Sequence, residues 1–197
     1  MKVLLLVALM TAPPSALAAG EPGKPAPSFT LPDSDGKRRS LAESKGKFVV
    51  LEWFDHECPS TDKHYRVGAM QALQTRYAKL GVDWYAIASS APGKQGWLPP
   101  KLARKIRTTM LSNAKAVLLD PDGKVGRLYS AKTTPHMFVI NPKGVIIYMG
   151  AIDNTYQASL SENPDLKNHV AAALDEALTG KPVTTPYIPA YGCAVKY

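Results

Sequence analysis

Apolar residues fall along this chain in short blocks, set apart by turn-forming residues rather than by long polar tracts. Phe48–Trp53 (FVVLEW), Val82–Ala88 (VDWYAIA), Ala116–Leu119 and Met137–Ile140 (MFVI) are short and rich in β-branched and aromatic residues, so they read as strands. Asn141-Pro142-Lys143-Gly144 turns the last of these into Val145–Tyr148 (VIIY), a hairpin. Between the strands the period changes. Tyr65, Ala69, Ala72, Leu73, Tyr77 and Leu80 recur at spacings of three and four, which predicts a helix from about Pro59 to Lys79, stopped by Gly81. Pro100–Leu111 reads as a weaker, basic helix, Asp120-Pro121-Asp122-Gly123 as a turn, and Asp165–Leu178 as a last helix ended by Gly180. Strands alternating with helices, then a hairpin and a helix, predict an α/β fold whose central mixed sheet is flanked by helices and followed by a C-terminal extension.

The first block is different in kind. Val3–Met10 (VLLLVALM) is apolar throughout, follows a basic Lys2, and precedes Pro13-Pro14 and the small-x-small sequence Ala16-Leu17-Ala18. It is too short for the roughly twenty residues that a membrane span requires. Residues 1–18 therefore read as a signal peptide, residues 19–27 (with GEPGKPAP) as a linker, residues 28–158 as the folded domain, and residues 159–197 as a C-terminal helix and a cysteine-containing tail. Export would place the protein in a periplasmic or extracellular setting, where disulfides persist. No later stretch reaches membrane length.

Composition narrows the picture. The 197 residues include two cysteines, Cys58 and Cys193, too few for a disulfide-built scaffold or a thiolate-only zinc site. Charged residues make up 20%, and the hydrophobic 45% suffices for a sizeable core. The net charge of +8 is spread out. Lys37-Arg38-Arg39 is a short cluster, and Lys101, Arg104 and Lys105 share one helix face, with no nucleic-acid motif among them. No nucleic-acid partner is expected.

The candidate chemistry concentrates at Asp55-His56-Glu57-Cys58-Pro59-Ser60-Thr61. Cys58 follows a strand and precedes a helix whose first residue is a proline, a position where the missing N–H costs nothing. Cys58 is thus the expected N-cap, and free amides and dipole at a helix N-terminus favour a thiolate. Thr61 is placed to offer its hydroxyl to the sulfur. His64 is expected on the exposed side of that helix and His169 late in the last helix, at the surface.

Trp53-Phe54 with Glu57-Cys58-Pro59, then Thr134-Pro135-His136-Met137-Phe138-Val139-Ile140, together resemble the thioredoxin superfamily, and most closely its peroxiredoxin-like redoxins (the alkyl hydroperoxide reductase/thiol-specific antioxidant group). Tyr148–Asp153 resembles the last hairpin strand of these proteins, and Tyr191–Tyr197 the ending of an exported subgroup. The resemblance spans about residues 24–158 and the tail. It implies a thioredoxin-like fold, Cys58 as nucleophile, a cis peptide bond at Thr134-Pro135, a substrate region lined by Thr61, Thr134, Pro135, His136 and Trp53, and no cofactor. The implied activity is that of an oxidoreductase, acting on a thiol or disulfide protein or on a peroxide, with an external thiol as electron donor. There are departures. Thr61 stands where the thioredoxin motif has its second cysteine, so no local disulfide can form. Asp55 and Leu51 replace the hydroxyl residue and the proline of true peroxiredoxins, which points away from efficient peroxidase chemistry.

Cys193 admits several roles: a resolving thiol that closes a bridge with Cys58, a partner in a standing disulfide that clamps the tail, a link to a second chain, or a free thiol. Two further functions follow from the same residues. Cys58 with His136 and His56 would make a soft site for Cu(I), as in a thioredoxin-like metallochaperone. A permanent Cys58–Cys193 clamp would make a redox-silent binding module.

Overall fold

The computed structural model describes residues 20–156 and 165–197. The expected signal, residues 1–18, lies outside the described residues. In chain order the elements are β1 (Thr30–Pro32), β2 (Arg38–Ser40), a 3-10 turn (Leu41–Ser44), β3 (Val49–Trp53), α1 (Pro59–Arg66), α2 (Ala69–Lys79), β4 (Asp83–Ala88), α3 (Pro100–Thr109), β5 (Ala116–Leu119), α4 (Lys124–Leu128), β6 (Thr133–Thr134), β7 (His136–Ile140), β8 (Ile146–Gly150), α5 (His169–Leu178), β9 (Tyr187–Ile188) and β10 (Cys193–Ala194).

The main sheet has the order β5-β4-β3-β7-β8-β9, with β3 parallel to β4 and antiparallel to β7. Both faces are covered, so side chains alternate between two apolar layers. Val49, Leu51 and Trp53 face one layer with Tyr85, Ile87, Tyr129 and Phe138. Val50 faces the other, with Met70, Tyr77, Trp84, Val139 and Leu174 from α2, the sheet and α5. The expected α/β architecture with a mixed central sheet and flanking helices is the observed one.

The differences lie in the connections. The helix read over Pro59–Lys79 is two helices, α1 and α2, divided at Gly68, whose φ of 76° falls in the left-handed region that interrupts a helix. The last helix starts at His169, not Asp165, because Asn168 caps it through the Ala171 N–H (2.8 Å). His169 is therefore in the first turn and half-buried. Residues 20–27 run along the start of β8, with hydrogen bonds from Gly23 N–H to the Ile146 carbonyl and from Ala26 N–H to the Gly144 carbonyl (both 2.8 Å).

Helix α4 is short and depends on Asp120, a buried carboxylate at the end of β5. Asp120 accepts from the Gly126 N–H (2.8 Å), the Val125 N–H (3.2 Å) and the Ser89 hydroxyl (2.6 Å). Asp120→Ala leaves those donors without an acceptor and will cost about 2 kcal/mol, read as a lower urea midpoint at unchanged m-value.

Candidate active site

The chain leaves β3 through Phe54 and Asp55 and reverses at Cys58, whose N–H donates to the Asp55 carbonyl (3.2 Å). Cys58 is the N-cap of α1 and Pro59 its first residue, as the local sequence requires. The Cys58 carbonyl accepts from the N–H groups of Thr61 (2.9 Å) and Asp62 (2.8 Å). Its side chain points inward and is fully buried.

The sulfur faces β6. Thr134-Pro135 is cis, as the resemblance implied, and the neutral Cys58 thiol donates to the Thr134 carbonyl (3.0 Å). On its other side lies the tail. β10 pairs antiparallel with β6, Cys193 opposite Thr134 and Ala194 opposite Thr133. That register directs the Cys193 N–H at Cys58 Sγ, 3.4 Å away. Both cysteines are free.

The two thiols are unequal. Burial opposes ionisation of Cys58, but the neighbouring Cys193, with its N–H on the sulfur, outweighs it and holds the thiol below its ordinary value. The Thr134 carbonyl works against ionisation, since it accepts only from the neutral thiol. The Thr61 N–H spends its hydrogen bond on the Cys58 carbonyl and contributes less at the sulfur. Cys193 moves the other way: burial, then its hydrogen bond to Cys58 and the negative charge there, push it up to about 12. Of the two, Cys58 ionises first and Cys193 keeps its proton.

The tail is held on both sides of Cys193. Before it, the buried Tyr191 donates to Asp153 Oδ1 (2.5 Å) and lies 3.3 Å from His64 Nε2 and 3.4 Å from the Thr155 hydroxyl. The ammonium of Lys63 sits over its ring, 4.9 Å from the centroid, and also donates to the Thr155 carbonyl. After it, the Val195 N–H donates to the Lys132 carbonyl (3.0 Å), and the Lys196 carbonyl accepts from the Ala91 N–H (2.7 Å). Tyr197 then donates to the Ala131 carbonyl (2.6 Å) beneath the Arg127 guanidinium, in a slot that any side chain at Gly126 would fill.

Several expectations change. Trp53, expected to line the substrate region, is completely buried in the core, packed at a tilt against Tyr129 and edge-on to Phe138 with its indole N–H on Ser89 (3.1 Å). It has no surface to offer a ligand. The Thr61 hydroxyl is buried without a hydrogen-bond partner and does not bond the sulfur. His64 is buried, not exposed, and desolvation lowers its pKa to about 4 against the pull of Asp153. His136 pairs opposite Trp53 across β3–β7. Its Nδ1 accepts from the Lys132 N–H (3.3 Å), Nε2 has no partner, and burial lowers its pKa to about 4, so it is neutral. Among the described residues, the one group of three potential metal ligands is Asp55, His56 and Glu57, with donor atoms within 4.8 Å of one another. Asp55 and Glu57 are already engaged, accepting from the N–H groups of Glu57 (2.8 Å) and Gly96 (2.6 Å).

Two features were not read from the sequence. The tail strand is one. The other is Glu52, fully buried on β3 and facing α1 and α2, where it accepts from Trp84 Nε1 (2.8 Å), the Tyr65 hydroxyl (3.0 Å) and Gln74 Nε2 (3.4 Å). A lone carboxylate inside FVVLEW was its signal.

Several known proteins are similar to this chain. Thiol-disulfide oxidoreductase ResA of Bacillus subtilis is 30% identical over 127 residues, 64% of this chain and 64% of that protein. Chloroplastic peroxiredoxin Q of Populus jackii is 29% identical over 127 residues, covering 63% of this chain and 57% of its own length. The chain thus spans less than two thirds of either relative. A solved structure of a hypothetical protein from Sinorhizobium meliloti superposes with a TM-score of 0.79 at 25% identity, over 89% of this chain and 94% of the other. No helix among the described residues is long and apolar enough to cross a membrane. The AhpC/TSA family model matches residues 22–149, a span that holds Cys58, Thr134-Pro135 and nearly the whole main sheet, and by that match the chain, with its thioredoxin-like fold, belongs to the AhpC/TSA family.

Proposed function

We propose that this protein is a thiol-dependent oxidoreductase that cycles between a Cys58/Cys193 dithiol and a Cys58–Cys193 disulfide. The observation that carries the reading is the β6–β10 register, which directs the Cys193 N–H at the Cys58 sulfur and so brings the two cysteines together. Cys58, the more acidic and capped by a helix N-terminus, attacks first. With a disulfide substrate it displaces one sulfur as a thiolate and forms a mixed disulfide. Consuming the Cys58 thiolate removes the hydrogen-bond acceptor and the charge that keep Cys193 protonated. Cys193 then attacks Cys58, closes the intramolecular disulfide and releases the second substrate sulfur. An external thiol returns the pair to the dithiol state.

The names of the two relatives support either a disulfide or a peroxide as oxidant. The disulfide is favoured because Asp55 stands where a peroxide-polarising hydroxyl is needed. Residues 1–18 are read as an export signal, on VLLLVALM and the Ala16-Leu17-Ala18 site, which puts both thiols where their oxidation is maintained.

One equivalent of diamide or peroxide added to the reduced monomer will remove two hydrogens and give a tryptic fragment pair joined through Cys58 and Cys193, with labelling of both by iodoacetamide lost together. Oxidation that ends as a sulfinic acid on Cys58, or as a dimer, would overturn the two-cysteine cycle.

A further inference from the structure

The tail occupies the main-chain edge that an incoming disulfide has to reach. Thr133 and Thr134 of β6 are paired with Ala194 and Cys193, and the Lys132 carbonyl is taken by the Val195 N–H. No gap remains between tail and site. A Cβ built on Gly192, whose φ is 123°, would lie 2.0 Å from the Thr134 carbonyl oxygen and 3.2 Å from Ser60 Cβ. With Cys58 fully buried, a polypeptide cannot approach the sulfur past a seated tail.

The tail has two parts, a root and a tip. Its root, β9, is bound to the sheet by the Met149 N–H to the Pro186 carbonyl (3.0 Å) and the Ala151 N–H to the Ile188 carbonyl (3.1 Å). Its tip, residues 191–197, is held by the two-residue ladder, by the Val195 N–H on the Lys132 carbonyl and the Ala91 N–H on the Lys196 carbonyl, and by the hydroxyls of Tyr191 and Tyr197. Root and tip are joined by Pro189 and Ala190, which border a recess of about 250 Å³ shared with Lys132, His136, Met149 and Tyr187. The pivot therefore has room to move.

We infer that the tip is a removable self-strand, competing with an extended, disulfide-bearing segment of a partner polypeptide for the β6 edge. The inference rests on the redox cycle proposed above and adds to it a partner class and an order of events. The tip swings out about residues 189–190. The partner segment pairs with Thr133–Thr134 in place of Ala194 and Cys193, so that a partner N–H replaces the Cys193 N–H at the Cys58 sulfur, and Cys58 loses its proton to water and attacks the partner's disulfide: a Cys58–partner S–S bond forms, the partner's own S–S bond breaks, and its outer sulfur leaves as a thiolate. The returning tip cannot pair while the partner segment does. As it re-enters, Cys193 loses its proton to water and attacks Cys58 Sγ, the Cys58–partner bond breaks, and the partner sulfur departs as a thiolate. Resolution and product expulsion are one movement, and the protein dithiol has given two electrons to the partner disulfide.

The test uses the full reduced protein and three probes: a short extended peptide whose central cysteine carries thionitrobenzoate in disulfide linkage, the same peptide N-methylated on the residues flanking that cysteine, and the thionitrobenzoate mixed disulfide of mercaptoethanol. Thionitrobenzoate release is followed in wild type, in Tyr197→Ala and in Gly192→Ala, which loosen the tip from opposite sides of Cys193. The peptide is expected to react about tenfold faster with either variant than with wild type, the effect of losing one good hydrogen bond. In the variants it should outpace the mercaptoethanol probe, and N-methylation should abolish that preference. Peptide rates unchanged in both variants, or equal rates for the peptide and its N-methylated form, would overturn the inference. Were Tyr197→Ala to misfold, Gly192→Ala carries the comparison alone. Failure of every form to release thionitrobenzoate would instead refute the redox cycle, so the two readings fail separately.

Discussion

Cys58→Ser will lower turnover of a disulfide substrate by on the order of 10³-fold or more, whereas Cys193→Ser will complete the first chemical step and then stall. The asymmetry follows from the environments of the two sulfurs. Against its burial, Cys58 is held below its ordinary pKa by Cys193, whose N–H it accepts, while burial and the charge on Cys58 push Cys193 up to about 12. A serine at 58 keeps the shape and loses the nucleophile, since its hydroxyl does not ionise under the same influences. A serine at 193 keeps the N–H aimed at Cys58 and loses only the second attack. Intact mass after a single turnover distinguishes the cases. Cys193→Ser should carry one substrate fragment on Cys58, and Cys58→Ser none. A Cys193→Ser protein with normal multiple turnover would show that an external thiol, not the tail, resolves the mixed disulfide.

The second large effect concerns stability and resides in Glu52. Burial raises its pKa from 4.5 to about 7, against the donors Trp84, Tyr65 and Gln74. A carboxyl whose folded pKa lies above its unfolded one binds more protons when folded, so its contribution is complete below the unfolded value and is lost as pH rises through the folded one. The shift corresponds to roughly 3 kcal/mol, lost between about pH 4.5 and pH 7. His64 and His136, both lowered to about 4, act with the opposite sign in an overlapping window, because a buried neutral imidazole gains stability as acid is removed. The total slope of the wild type therefore hides the Glu52 effect, and the difference between wild type and Glu52→Gln isolates it. Urea denaturation of both at pH 4.5 and pH 8 should show wild type losing about 3 kcal/mol relative to the variant across that range. A difference independent of pH would mean that the donors around Glu52 hold it ionised throughout.

What could be read from the sequence was what is local in it. Cys58-Pro59 after an apolar strand marks a helix start by itself, and the strands of the main sheet announce themselves as apolar runs because both their faces are buried. The helix break at Gly68 was masked by Tyr65 and Ala69, whose spacing of four continues across it. Trp53 lies in the core and not at the site because strand alternation points it inward, one residue before the chain turns toward the site. β6, β9 and β10 are two residues each, too short for any period. The meeting of Cys58 and Cys193 depends on where a strand of that length docks across 135 positions of chain, and on tyrosines at 191 and 197 whose partners lie in three other segments. Nothing in the tail's own sequence states those partners.

The division of the tail at Pro189-Ala190 also bears on solubility. β9 covers the outer side of β8, whose Met149 main chain would otherwise stand open as an unpaired flank of the sheet, a template for joining another chain. Because that cover belongs to the root, release of the tip would open only the two residues of β6 and leave the flank of β8 covered. A chain shortened before Tyr187 would lose the cover together with the thiol, and would be expected to associate through β8.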